Sequence, residues 1–313
     1  MIMPEVIPTY YTQTPQYAEY MRHLGWQVVQ LNKYFAYVKK IGFLKYSVIK
    51  IPRAPLELDY QKIEEQLQSY NPLLLKIEPN QALTDITIKK DIPWLHERGF
   101  FSDRFPVCQS KSIFVDLTLT EEQLLSSFRA ETRHHLKKSR KRSFRVTTTL
   151  SDGSKEAQRA LAEFYPLFEH CARERKFFSP FKMQMTALWE SFKNHAVIIL
   201  VYPPDKTYPV SGTLTLATNH EAYYKFGASL PEGREAYASY LLYWEMFKWA
   251  KKNGRTTFDL EGIYDPRYKK TKRYLGITQF KRGWSKNEIT YLGTFTRYHA
   301  RSLQLLASLG IIS

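Results

Sequence analysis

Two stretches of this sequence concentrate the residue types that handle phosphate. Tyr264-Asp-Pro-Arg-Tyr-Lys-Lys-Thr-Lys-Arg-Tyr274 interleaves Arg267, Lys269, Lys270, Lys272 and Arg273 with three tyrosines. Arg129-Ala-Glu-Thr-Arg-His-His-Leu-Lys-Lys-Ser-Arg-Lys-Arg142 sets one acid among many bases, Arg133, Lys137 and Lys138 included. Cations displace counterions from a polyanion and rings stack on bases, so these runs suit a phosphate-bearing partner. The alternatives are a solvated helix face and tyrosines that merely pack. Covalent and metal chemistry find no support: there is no Ser-His-Asp ordering, no Cys-His pair and no metal cluster. His134 and His135 are adjacent, and neighbours on a helix point in different directions. Cys108 and Cys171 are the only cysteines and lack both metal-ligand spacing and a disulfide framework, which suits a reducing compartment.

The charge of the whole chain supports the same reading. Its 313 residues carry 46 Lys and Arg against 30 Asp and Glu, a formal net charge of +16. That excess attracts nucleic acid, nucleotide-linked substrates or an anionic membrane face; the alternative is a basic, solvated surface. Hydrophobic and charged fractions of 43% and 24% are those of a globular chain long enough for two domains. No apolar run reaches membrane-spanning length, and the N-terminus lacks a basic flank and apolar signal segment, so a cytoplasmic location is expected.

Hydrophobic period and breakers predict the elements that must hold these residues. Thr9 to Trp26 reads as a helix capped by Gly25. Gln27–Leu31, Tyr34–Val38 and Tyr46–Ile51 read as an antiparallel meander, the third strand ended by Pro52-Arg-Ala-Pro55. A helix at Tyr60–Tyr70, a strand at Leu73–Glu78, a short helix at Pro93–Gly99 and a strand at Ser112–Leu117 follow. Thr120 caps a helix, with Gln123 completing a capping box, that leads into the basic run; Leu124, Phe128 and Leu136 give it a thin apolar side. A strand at Phe144–Thr149 and a long helix at Glu156–Arg173 precede a second meander: His195–Tyr202, Val210–Ala217 and Glu221–Gly227. The helix Ser239–Gly254 then feeds the strand Arg255–Glu261, the basic loop, and a last strand at Glu288–Gly293.

Each half thus reads helix, meander, helix, strand, short helix, strand, a pseudo-repeat of one α/β unit. That order matches the topology of the acyl-CoA N-acyltransferase (GNAT) fold. Such folds grip the CoA pyrophosphate on a glycine-rich turn at a helix N-terminus. The equivalent turn here, Leu230–Tyr237, has one glycine and two carboxylates, which disfavours CoA.

Motifs spread over most of the chain resemble the FemABX family of aminoacyl-tRNA-dependent transferases, which build peptidoglycan interpeptide branches. Ile51-Pro-Arg-Ala-Pro55 is similar to the family's PRGP turn, and Leu75-Lys-Ile-Glu-Pro79 to its LKI-P strand end. Phe114-Val-Asp-Leu117 and Thr132-Arg-His-His-Leu136 resemble the DL and TRYNI pair. Tyr243-Trp-Glu and Phe258-Asp-Leu-Glu-Gly262 resemble the WE helix and D-xx-G strand. Phe280-Lys-Arg-Gly-Trp284 resembles FKRGF. The span between Glu156 and Phe192 leaves no room for a coiled-coil arm, so the resemblance is to the compact subtype.

The resemblance implies two tandem GNAT-like domains in a mixed α/β (α+β) class, no metal and no cofactor. The expected domains are 1–118 with a returning C-terminal helix at about 294–313, and 119–293 with the basic helix 129–142. It implies an aminoacyl-tRNA donor and an acceptor amine on the stem peptide of UDP-MurNAc-pentapeptide or lipid II, peripheral contact with the inner membrane face, and no DNA. Lys281 and Phe280 stand where the tRNA acceptor end enters: the ammonium would pair with a phosphate and offset oxyanion charge, and the ring would stack a base. Asp259 would orient the amine or accept its proton. Arg22, Arg53, Arg175 and Tyr224 would hold the acceptor, since an arginine fork suits a pyrophosphate. Arg133, Lys137, Lys138, Lys269, Lys270, Lys272 and Arg273 would follow the tRNA backbone. Two other functions remain compatible with the residues: an N-acyltransferase using acyl-CoA or another donor, and a non-enzymatic RNA-binding module.

Overall fold

The computed structural model describes residues 10–42, 44–177, 179–309 and 311. Thr9, where the sequence starts the first helix, and the outer ends of the expected first domain lie outside the described residues. The chain forms two compact units. One comprises Met1–Ser112, Gly262–Tyr274 and Ile289–Ser313; the other comprises Ile113–Glu261 and Leu275–Glu288.

The first helix is shorter than its pattern predicts. A 3-10 turn at Tyr11–Gln13 and an extended Thr14 precede α1 (Pro15–His23), because Pro15 forces the residue before it out of helical geometry. Gly25, at φ +72°, stops it as expected. The strands β1 (Gln27–Leu31), β2 (Tyr34–Lys40) and β3 (Ser47–Ala54) form the antiparallel meander. Pro52 does not end β3. The register shifts between Pro52 and Ala54, and Arg53 occupies the bulge at φ +53°, so the strand passes through.

After α2 (Tyr60–Leu67) and β4 (Pro72–Pro79) comes α3 (Asp85–Glu97), longer than the predicted Pro93–Gly99 helix. Thr84 and Thr87 form its capping box, and Pro93 lies inside it rather than in its first turn. The short β5 (Phe101–Asp103) and β6 (Lys111–Asp116) follow. The basic run is a separate helix. Thr120 and Gln123 cap α4 (Glu121–Ser127), Phe128 breaks it at ψ 155°, and α5 (Ala130–Arg140) begins anew. Leu124, Phe128 and Leu136 are all buried, the apolar side that the sequence predicted.

β7 (Arg145–Leu150) and α6 (Lys155–Glu174) lead to α7 (Lys182–Phe192), which the sequence reading missed. The second meander is β8 (Ala196–Tyr202), β9 (Ser211–Ala217) and β10 (Glu221–Ser229). α8 (Pro231–Glu235), α9 (Ala238–Lys252) and the three-residue β11 (Thr257–Asp259) complete the motif. The basic stretch expected as a loop is a 3-10 helix, Lys269–Tyr274, running into α10 (Leu275–Lys281). Gly293, at φ +114°, separates β12 (Asn287–Thr290) from β13 (Thr294–Tyr298), and α11 (Arg301–Ser308) ends the described chain.

The sheets share one plan. In the six-stranded sheet, order β1-β2-β3-β4-β13-β5, the last meander strand pairs in parallel with β4, and β13 runs antiparallel beside β4. In the seven-stranded sheet, order β12-β6-β11-β10-β9-β8-β7, β10 pairs in parallel with β11, and β6 runs antiparallel beside β11. Parallel strands need a crossover, supplied here by α2 and by α9. All of β8 and β9 is buried; β8 accordingly runs as a continuous apolar stretch, while β9 alternates Thr213 and Thr215 with Leu214 and Leu216.

Candidate active site

Lys281 is the last residue of α10 and is only 4% exposed. Its Nζ donates to the carbonyl of Glu261 at 3.1 Å and lies 5.4 Å from the Tyr224 ring centre. Burial lowers its pKa from the ordinary lysine value to about 8, against the opposing pull of Glu261 and Asp259. It is a buried residue rather than a surface charge.

The backbone that receives it is unusual. Glu261 follows β11 at φ +54°, and its N–H donates to Asp259 Oδ1 at 2.6 Å. A non-glycine residue in this region is uncommon and marks a place where surroundings impose the conformation. The turn aims the Glu261 carbonyl at Lys281, while the Glu261 carboxylate lies 3.9 Å from Lys225. Lys225 is the bulge residue of β10, where the register shifts between Tyr224 and Phe226. Asp259 is thus a buried residue that fixes the turn. Beside it, Tyr223 donates a hydrogen bond to Glu221, whose pKa rises to about 7, mainly by burial and further through the Asp259 charge.

Aromatic rings wall this centre. Trp284 is fully buried and stacks on Tyr243 at 5.5 Å and 16°; Phe280 meets Tyr240 and Tyr243 edge-on at 5.1 and 4.9 Å. Gly283 lets α10 end against α5, since a Cβ there would collide with the Thr132 hydroxyl. The rings continue to the basic helix. His135 of α5 stacks on Tyr237 at 4.5 Å and meets Tyr240 at 4.9 Å, and Lys138 lies 5.4 Å from the Tyr237 centre. Tyr237 itself is held at φ +60°. The sequence reading missed Tyr237, Tyr240, Lys225 and Glu221. The i, i+3 spacing of Tyr240 and Tyr243 marked one helix face, but nothing local showed what it faced.

The other expected residues of this unit lie as follows. Tyr224 is partly buried, folded over Gly227, and burial raises its pKa while Arg175 opposes. Arg175 caps α6 and is exposed. Lys137 and Lys138 are exposed on α5. Arg133 is exposed too, but its guanidinium donates to the carbonyls of Ser126 and Phe128 and so closes the end of α4.

In the first unit, Arg53 is 1% exposed. It lies 3.3 Å from Glu78, donates to the Gln109 carbonyl, and stacks 3.4 Å from the centre of the Tyr291 ring. Burial works against its charge, but Glu78 and Tyr291 outweigh it and raise its pKa. Arg22 is exposed and paired with Glu19 at 2.8 Å. Lys269, Lys270, Lys272 and Arg273 are exposed, with Lys270 4.5 Å from the Phe105 ring centre. Arg267 is turned inward, to Asp265 and the carbonyl of Tyr291, both at 2.8 Å. These bonds anchor the basic stretch in the first unit.

Residues 126–270 match the family model described as an acetyltransferase (GNAT) domain. The lipid II:glycine glycyltransferase of Staphylococcus epidermidis is 32% identical over 92 residues, 29% of this chain and 22% of that protein. That of Staphylococcus haemolyticus is 29% identical over 103 residues, 33% of this chain and 24% of that protein. The matches therefore span less than a quarter of these relatives. The crystal structure of FemX superposes with a TM-score of 0.78 at 17% identity, covering 96% of this chain and 95% of that one. The structure of L-PGS from Bacillus licheniformis gives 0.55 at 13%, covering 93% and 90%. These likenesses bear out the mixed α/β fold of GNAT type.

Proposed function

We propose, from the premise that the chain is a member of the FemABX family, that it is an aminoacyltransferase. It moves an amino acid from aminoacyl-tRNA to an amine of a peptidoglycan-precursor stem peptide in the cytoplasm. The names of the glycyltransferase relatives support the acceptor class. The observation that carries the reading is Lys281, buried beside the Tyr224 ring at the end of the parallel pair β10–β11.

The reaction is aminolysis of an ester. The acceptor amine attacks the carbonyl, the carbon–oxygen bond to the tRNA ribose breaks, and the ribose oxygen takes up a proton. An ester is already activated, so positioning and charge stabilisation suffice. Lys281 offsets the oxyanion, and a pKa of about 8 keeps it ready to exchange a proton near neutrality. Asp259 acts through the Glu261 turn that receives Lys281. Phe280, Tyr240, Tyr237 and His135 offer stacking faces for unpaired nucleotides, with Lys137, Lys138 and Arg133 along the backbone. Arg175 and Tyr224 hold the acceptor.

An acyl-CoA donor is the competing reading, favoured by the family model's description. Gly233 speaks against it: a Cβ there would strike the Val210 carbonyl, so this glycine serves packing rather than phosphate. Charged tRNA and the stem-peptide precursor, supplied in UDP-linked and lipid-linked form in parallel and weighed by mass spectrometry after incubation with the protein, test the proposal. A gain of one amino-acid residue on at least one form is expected; no gain on either, with acetyl-CoA supporting transfer instead, would overturn it.

A further inference from the structure

The connection from α6 to α7 presents apolar side chains to water. Phe181 and Met183 are 74% and 75% exposed, the highest values among the large hydrophobic residues described. The fold fixes this presentation. The Phe181 N–H donates to Gln184 Oε1 at 3.0 Å, its carbonyl accepts from the Gln184 and Met185 N–H groups at 2.9 and 3.1 Å, and Tyr165 donates to the Pro180 carbonyl at 3.4 Å. Met185, Leu188, Trp189 and Phe192 are buried, so α7 cannot roll Met183 inward without exposing them.

Cations flank the lip in sequence. Arg173, Arg175, Lys176 and Lys182 are exposed; Glu174 is engaged by Arg234 at 3.2 Å, and Glu169 lies 3.9 Å from Arg173. Bulky apolar tips flanked by long cations match a bilayer interface, where the rings enter the headgroup boundary and the cations meet anionic lipid. Among the described residues no helix is long and apolar enough to cross a membrane, so any bilayer contact they make is interfacial.

We propose that Phe181 and Met183, with Arg173, Arg175, Lys176 and Lys182, dock the second unit on an anionic lipid bilayer. Arg175 then lies at headgroup level. Resting on the function proposed above, this makes the acceptor the lipid-linked precursor rather than its soluble nucleotide form.

Co-sedimentation of the full chain with phosphatidylcholine vesicles, with and without phosphatidylglycerol, tests the docking. Binding to the anionic vesicles is expected. The double variant Phe181→Asp, Met183→Asp should lose about tenfold or more in apparent affinity, with its circular dichroism and melting temperature kept. Phe181→Leu with Met183→Leu should bind like wild type. Wild-type binding by the Asp variant would overturn the proposal. So would absence of wild-type binding, or sedimentation equilibrium showing a self-associated species that the Asp variant dissolves while vesicles are ignored. The vesicles contain no precursor, so failure of aminoacyl transfer leaves this result untouched.

Discussion

Tyr224 folds back over Gly227 so closely that a Cβ at the glycine would coincide with the phenol. The two residues flank the β10 bulge, and Lys281 lies over the same ring. Gly227 is therefore needed for the place of Tyr224, not for its own backbone conformation.

Gly227→Ala should expel the Tyr224 ring. Overpacking of this kind costs about 1–3 kcal/mol, and transfer activity should fall as it does in Tyr224→Ala. Urea denaturation alongside muropeptide kinetics checks both. A Gly227→Ala enzyme with normal activity would remove Tyr224 from the site.

Lys281→Ala should damage turnover more than acceptor binding, on the order of a hundredfold for loss of one oxyanion stabiliser. Arg175→Ala should instead raise the acceptor Michaelis constant. Steady-state kinetics with each substrate varied separates the two. Wild-type turnover in Lys281→Ala would leave the lysine a structural role only.

The depressed pKa of Lys281 has a stability consequence. The folded value, about 8, lies below the unfolded value of 10.5, so burying the charge destabilises the protein at and below pH 8. That penalty fades as pH rises from 8 toward 10.5. Lys281→Met should therefore be more stable than wild type at pH 7, with the gap narrowing toward pH 10 in denaturant titrations.

Glu221 carries the opposite dependence. Its folded pKa, about 7, lies above the unfolded 4.5. The neutral acid is favoured in the fold, so stability is lost as pH rises through 7. Glu221→Gln keeps an acceptor for Tyr223 and should gain stability over wild type at pH 8 but not at pH 4. Equal melting curves at pH 8 would contradict this.

Removing Arg53 leaves Glu78 buried with three remaining donors: the backbone N–H groups of Val107 and Cys108 and the Thr294 hydroxyl. Breaking a buried pair from one side costs about 3–5 kcal/mol. Arg53→Met should approach that loss, and adding Glu78→Gln should recover part of it, as a double-mutant cycle would show.

The sequence by itself determined the local elements. Both meanders, the Thr120–Gln123 capping box, the Gly25 stop and the buried side of the basic run follow from short-range rules, which act within a few residues of chain. It also showed where cations gather. Only the tertiary structure decided what those cations do. Arg53, Arg133 and Arg267 are equally basic in sequence, yet one is buried on Glu78, one closes a helix end and one turns onto Asp265. The state of Lys281 was likewise hidden, because its burial beside Tyr224 of β10 and its bond to the Glu261 carbonyl bring together positions far apart in the chain. Pairing of β13 beside β4, at a separation of more than 200 residues, has the same origin: the pattern of a strand states that it will pair, and the closing of distant contacts states with what.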